Sequence, residues 1–319
     1  MPASLPRPTL HVSCASDVAY VPHTAAMLHS LLTVDPGSDI HVHYLVGPRF
    51  PREAAGRLRA LVQGLGGRVS FFEVPDAWVQ GLGPQGHITI PMWYRIFLPD
   101  LLSEVDRVLY LDADTIVMDS LAPLWQLDID DHHLAAVTNV FQPDHARERD
   151  QLGLVGPHPY FNSGVLLLNL DRMRRDGCSQ RLRDYARQPP RRLIWPDQDA
   201  LNAILGPRRL ALHPRWNVMN SIVDFTWAAD VFGAEAVEEA RRDPAIRHFE
   251  GPGQNKPWHY LSGAQSQALY RRHRRQTPWP RYRLEGVTPR AVSTRLRARL
   301  PGGGPTRDEP LVGESASDH

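Results

Sequence analysis

Over the first quarter of the chain, short apolar runs alternate with longer stretches of helical period. Leu10-His11-Val12-Ser13-Cys14-Ala15 reads as a first strand, Ile40–Val46 alternates as a second, and residues 69–74 make a third. A helix opening at Pro22, where proline is tolerated in the first turn, carries Met27, Leu28, Leu31 and Leu32 on one face. Another opens at Pro51, with Ala54, Ala55, Leu58, Leu61 and Val62 at helical spacing. Strands and helices in strict alternation predict parallel βαβ units, hence a doubly wound, Rossmann-like α/β sheet with helices on both faces.

The pattern changes at Arg107-Val108-Leu109-Tyr110-Leu111-Asp112-Ala113-Asp114-Thr115-Ile116-Val117. An apolar strand that reads as buried on both faces runs out into two carboxylates. Residues two apart on a strand point the same way, about 6 to 7 Å apart, so Asp112 and Asp114 can converge on one hard cation while Ala113 leaves them room. Open α/β sheets bind ligands at such carboxyl strand ends. The same spacing recurs at Asp128-Ile129-Asp130 and Asp197-Gln198-Asp199, and the tripeptide alone is weak. Only Asp112-Ala113-Asp114 caps an apolar strand.

Around this strand, residues 91–98 predict a helix whose lone charge is Arg95. Leu134–Thr138 and residues 165–168 predict further strands, the second opened by Asn162-Ser163-Gly164. Asp197-Gln198-Asp199 starts a short helix, and residues 246–249 form a last short strand running into Gly251-Pro252-Gly253.

With 319 residues and 42% hydrophobic content, one large core fits best. The expected division is a disordered N-terminus over residues 1–8, one domain over residues 9–284, and a basic, then Gly/Pro-rich tail over residues 285–319, disordered from Pro301. Two cysteines cannot build a disulfide framework, the N-terminus lacks the apolar core of a signal peptide, and no run is long enough to span a bilayer. A cytoplasmic protein is expected. No Gly-x-Gly-x-x-Gly follows the first strand and no Walker-type loop occurs, so any nucleotide is held in another way.

In order along the chain, these motifs resemble the retaining glycosyltransferases of family 8, which include bacterial lipopolysaccharide galactosyltransferases and glycogenin. The resemblance implies a single GT-A-type domain, a UDP-hexose donor, and manganese, with magnesium as an alternative. Asp112 and Asp114 resemble the family's metal-binding pair. His248, with Gly251, Lys256, Pro257 and Trp258, resembles its His-x-x-Gly-x-x-Lys-Pro-Trp segment, lengthened here by Gln254-Asn255. An imidazole would complete a manganese site begun by carboxylates, and a lysine would screen phosphate charge. Ala15, Asp17 and Tyr20 match the loop that receives the uracil, and Arg95 matches a donor-facing helix residue. Asn139, Asn162 and Ser163 match sugar-contacting positions, and Asp197 and Gln198 match the pair beside the anomeric carbon. His87, Ile88 and Thr89 resemble an acceptor-facing loop.

The resemblance implies transfer of glucose or galactose to a hydroxyl of a glycan, lipid or small molecule, by front-face attack with Gln198 steadying the cationic centre. Two rivals remain at this point: a haloacid-dehalogenase-type phosphohydrolase, whose nucleophile motif is also a strand ending in Asp-x-Asp, and a non-catalytic sugar-nucleotide or glycan-binding module. The first wants a second acidic cluster of the Gly-Asp-x-x-x-Asp kind, absent from the sequence. Net charge is only +1, yet residues 256–299 carry eleven Lys and Arg against Glu285 alone. That segregation, with Trp279 and Tyr282 among the arginines of the stretch 271–299, predicts peripheral contact with an anionic membrane surface rather than nucleic acid.

Overall fold

The computed structural model describes residues 8–82, 89–142, 152–154, 160–187 and 195–297. His87, Ile88 and the segment from Pro301 onward lie outside the described residues, as do residues 1–7. The sheet begins as expected: β1 (Leu10–Ala15), α1 (Val21–Val34), β2 (Ile40–Val46), α2 (Arg52–Gly64) and β3 (Arg68–Glu73) form parallel βαβ units. β4 (Arg107–Leu111) joins β1 in parallel on its other side. The seven strands stand in the order β3-β2-β1-β4-β7-β6-β8, where β6 is Leu134–Thr138, β7 is Phe161–Asn169 and β8 is Arg209–Ala211.

Two apolar layers sandwich this sheet. On one side α1 and α2 bury Leu28, Leu31 and Leu58 against Val12, Val42 and Leu109. On the other, Trp93, Phe97, Leu98 and Leu201 pack on Tyr110, Leu166 and Leu168. β4 and β7 therefore bury both faces, which is why residues 108–111 and 165–168 read as unbroken apolar runs.

Three features depart from the sequence reading. β7 runs antiparallel to both its neighbours, and it takes in Asn162, Ser163 and Gly164 as strand residues, all nine positions being buried. Strand direction leaves no mark on periodicity, and the polar side chains of Asn162 and Ser163 find partners deep in the fold. Residues 90–97 wind as a 3₁₀-helix rather than an α-helix, and the Met92 carbonyl is taken by the Arg95 Nε at 3.0 Å. β4 ends at Leu111 with the two aspartates in a turn, as the sequence reading had it, but β5 (Thr115–Val117) then leaves the sheet to pair antiparallel with β9 (Ile246–His248).

The basic C-terminal stretch lies against the domain as far as it is described. The helix Ala264–Arg274 packs on α1, with Tyr270 buried against Trp258. Tyr282 lies under the Arg274 guanidinium, 5.3 Å from ring centre, and the Trp279 carbonyl accepts from Arg274 Nε. Both aromatics are half-buried rather than presented to a membrane. The helix Pro289–Arg297 is tied down by Arg295, which donates to the Tyr260 carbonyl at 2.6 Å and stacks on its ring.

Candidate active site

Where β4 runs out of the sheet, the turn Asp112-Ala113-Asp114 is fixed by its own backbone. Asp112 N–H donates to the Gly164 carbonyl at 2.8 Å, and the Thr115 hydroxyl donates to the Asp112 carbonyl at 2.8 Å. The β5–β9 ribbon then places Thr115 opposite His248, and Phe249 N–H donates to the Asp114 carbonyl at 3.0 Å. This brings His248 Nε2 to 3.4 Å from Asp114 Oδ1. Asp112, Asp114 and His248 each offer a ligand atom within 4.8 Å of the others. Two carboxylates and an imidazole suit a hard to borderline divalent cation such as Mn²⁺ or Mg²⁺.

Two residues that the sequence reading gave no part in the metal cluster, Gly164 and Asn217, build it. A methyl group at Gly164 would stand 2.3 Å from His248 Cε1 and 2.9 Å from Asp112 Oδ2, so only glycine lets imidazole and carboxylate approach. Asn217, fully buried, sits behind His248. Asn162 Oδ1 accepts from Gly164 N–H at 3.0 Å, so the Asn217 atom 2.9 Å away is its amide nitrogen, donating. The other Asn217 atom, 3.0 Å from His248 Nδ1, is then the acceptor oxygen. Nδ1 must carry a proton, and Nε2 is the nitrogen aimed at Asp114. Such support behind a metal-binding histidine fixes its tautomer and ring plane. The sequence signal was slight: one amide between Trp216 and Val218.

Burial opposes every charge here, and the partners decide the outcome. Lys256 first, then His248, holds the Asp114 carboxyl far below the usual carboxylate range despite burial. In return Asp114 raises both His248 and Lys256 against their burial. Lys256 Nζ donates to Asp114 and, at 2.9 Å, to the Phe249 carbonyl. The 3₁₀ turn Gly253–Asn255 absorbs the two extra loop residues, so Lys256 still reaches the acidic pair. Gly251, at φ +84°, gives the turn its left-handed entry.

Arg95 joins the acidic pair to a second group. Its Nη2 lies 3.1 Å from Asp112 Oδ1 and 3.3 Å from Asp197 Oδ2, its Nη1 donates to the Ser163 carbonyl at 2.5 Å, and it stacks on Tyr110. Burial disfavours this guanidinium, but Asp112 heads the groups that keep it charged. Burial also raises Asp197, with Arg95 pulling the other way, and beyond that ion pair Asp197 Oδ2 has no hydrogen-bond partner among the described residues. Gln198 Oε1 accepts from Ser163 N–H at 2.9 Å, and its Nε2 donates to the Tyr160 hydroxyl, which donates to Asp199 at 2.5 Å. Tyr160 also went unnoticed in the sequence.

Of the remaining candidates, Asn139 meets Asn162 at 3.4 Å, and Ala15 is buried at the end of β1. Asp17 accepts from Tyr20 N–H at 3.0 Å, and Tyr20 meets Trp258 edge-on, so these residues form a flank one strand over from Asp112. Thr89 is exposed and touches none of them by any described contact.

A mostly parallel sheet that ends in an acidic pair, with an imidazole, a lysine and a buried Arg-Asp-Gln group around it, defines a GT-A-type glycosyltransferase. The crystal structure of the galactosyltransferase LgtC in complex with donor and acceptor sugar analogs superposes with a TM-score of 0.74 at 27% identity, covering 84% of this chain and 96% of that one. General stress protein A of Bacillus subtilis is 32% identical over 253 residues, 77% of this chain and 86% of that protein. The lipopolysaccharide 1,3-galactosyltransferase of Salmonella typhimurium is 23% identical over 256 residues, 78% and 73% of the two chains. The family model for glycosyl transferase family 8 matches residues 11–262, and the chain belongs to that family. It is an enzyme of glycosyl transfer, which excludes the phosphohydrolase reading.

Proposed function

We propose that this enzyme moves a hexose, glucose or galactose, from a UDP-hexose to an acceptor hydroxyl with retention of the α configuration, using Mn²⁺ held by Asp112, Asp114 and His248. The observation that carries the reading is the meeting of those three side chains at the carboxyl end of the sheet. A bound divalent cation supplies Lewis-acid stabilisation of the diphosphate leaving group. Lys256, already charged and beside Asp114, offers the phosphates a second positive group. Asp17 and Tyr20 receive the uracil; Ala15, Ala113 and Gly251 provide close backbone approach for the nucleotide.

Asn139, Asn162 and Ser163 hold sugar hydroxyls, and Asp197 Oδ2, ion-paired with Arg95, accepts from another. Gln198, an amide fixed at both ends by Ser163 and Tyr160, steadies the cationic anomeric centre rather than attacking it. The acceptor is a glycan, lipid or small molecule, and we assign Thr89 to the loop that faces it. A screen of UDP-sugars with Mn²⁺, read by mass for hydrolysis and transfer, tests the reading; a chain inert toward every UDP-hexose contradicts it.

A second reading concerns location. Among the described residues no helix is long and apolar enough to cross a membrane. Arg271, Arg272, Arg275, Arg281 and Arg283 are exposed on and after the helix Ala264–Arg274. We infer that this surface rests on anionic lipid, each basic residue near it gaining about 1 kcal/mol.

A further inference from the structure

Far from the site just described, a second group of metal-ligating side chains comes together. His11 on β1 and His41 and His43 on β2 each place one ring nitrogen within 4.8 Å of the others. The register explains the meeting. His11 pairs with His41 across parallel strands, and His43 follows two residues on, so all three rings leave the same face of the sheet. The ring centroids of His41 and His43 are 4.3 Å apart, those of His11 and His43 are 5.1 Å apart, and His11 Nδ1 lies 2.9 Å from His43 Nε2. This group belongs to the amino-terminal half of β1 and β2, whereas Asp112 follows the carboxyl end of β4.

Three adjacent imidazoles make an incomplete set of hydrogen bonds. His43 is 3% exposed; among the described residues its Nε2 meets only His11, and its Nδ1 has no hydrogen-bond partner. His41 Nε2 is held by the Ser70 hydroxyl at 2.9 Å, the kind of support that orients a ligating ring. The charged groups facing the cluster are Arg68 and Asp39, which neutralise each other through a 2.9 Å ion pair.

We propose that His11, His41 and His43 form a second divalent-metal site, selective for an imidazole-preferring cation of the zinc class, that clips β1 to β2. Ligand nitrogens around a tetrahedral zinc stand about 3.3 Å apart, given bonds of about 2.0 to 2.1 Å. The His11 Nδ1–His43 Nε2 separation of 2.9 Å is close to that value and the His41 nitrogen lies within 4.8 Å of both, so small ring movements close the site, and a water completes the fourth position. An all-nitrogen set and a set of two carboxylates with one imidazole prefer different ions, so the two sites sort zinc-like from manganese-like cations.

The test uses full-length protein carrying Asp114→Asn, which weakens the first site, titrated with Co²⁺ or Zn²⁺ alone. One Co²⁺ should bind with the intense visible band of tetrahedral coordination, and Zn²⁺ should raise the melting temperature. Adding His41→Ala, at a half-buried position, should weaken that binding by at least about 100-fold, more than loss of a supporting group costs. His11→Ala serves as a second variant, and circular dichroism checks that both fold. His41→Ala alone should leave UDP-hexose turnover with Mn²⁺ unchanged, which separates this site from the proposed donor site. A Co²⁺ spectrum that is octahedral, or that survives both histidine substitutions, overturns the proposal.

Discussion

Replacing Asn217 with alanine isolates the orientation of His248 from the identity of the metal ligands. The side chain is fully buried and makes two bonds, accepting from His248 Nδ1–H at 3.0 Å and donating to Asn162 Oδ1 at 2.9 Å. Asn162 Oδ1 keeps Gly164 N–H as a donor after truncation, so the uncompensated group is the imidazole N–H. One buried donor left unmade costs about 1 to 3 kcal/mol of stability. Loss of such a supporting group lowers metal affinity about 10- to 100-fold, or about 1.4 to 2.7 kcal/mol.

Calorimetric titration of Mn²⁺ in the presence of UDP measures the second effect, and urea unfolding measures the first. Asn217→Asp keeps an acceptor for His248 while losing the donor to Asn162, so its Mn²⁺ affinity should stay within a few-fold of the parent. Equal Mn²⁺ affinity for the parent and Asn217→Ala would refute the reasoning. So would an aspartate variant as weak as the alanine one.

Three further outcomes follow from other parts of the fold. If Gln198 acts mainly in the transition state, as proposed, Gln198→Ala should lower kcat and kcat/KM together with little effect on donor binding; proton NMR of the fresh product should show the α anomer, and a β product contradicts retention. Burial, then Arg274, pushes His23 down to about 3 beneath Trp258 and against the Tyr270 hydroxyl. The unfolded chain therefore binds a proton at His23 from about 6.5 downward that the folded chain refuses until about 3, so stability falls as pH drops through that window, by up to about 1.4 kcal/mol per unit. His23→Gln should flatten the urea-unfolding profile between pH 7 and 5 by that amount, and an unchanged slope contradicts it. Joint substitution of Arg271, Arg272 and Arg275 by Glu should abolish sedimentation with anionic vesicles at low salt while leaving UDP-hexose hydrolysis intact; vesicle binding that persists removes the lipid reading.

How much of this was legible in the sequence depends on the range of each interaction. The βαβ units over residues 10–73 follow from local period, because each strand and helix buries a face set by its own side chains. The acidic turn was legible for the same reason, as two charges closing an apolar run. His248 carries no such mark. It becomes a site residue only because β5 turns away from the sheet and pairs with β9, a long-range contact that three-residue strands cannot announce.

Asn217 and Tyr160 were missed because a buried polar residue looks like any other until its partners are placed. Gly164 read as a strand opening, whereas its need is steric and set by Asp112 and His248. The basic C-terminal stretch shows the converse. Its charge was plain, but Trp279 and Tyr282 turned out to pack on the domain, since a guanidinium over a ring satisfies both without lipid.

Calorimetry of UDP binding, with Mn²⁺ and again with excess chelator, on the parent chain and on Asp114→Asn, tests the central claim most directly. If Asp112, Asp114 and His248 hold the cation that receives the diphosphate, UDP should bind the parent with Mn²⁺, bind far more weakly under chelator, and gain little from Mn²⁺ in Asp114→Asn. Equal UDP affinity with and without chelator, or an Asp114→Asn protein that responds to Mn²⁺ as the parent does, would contradict the assignment.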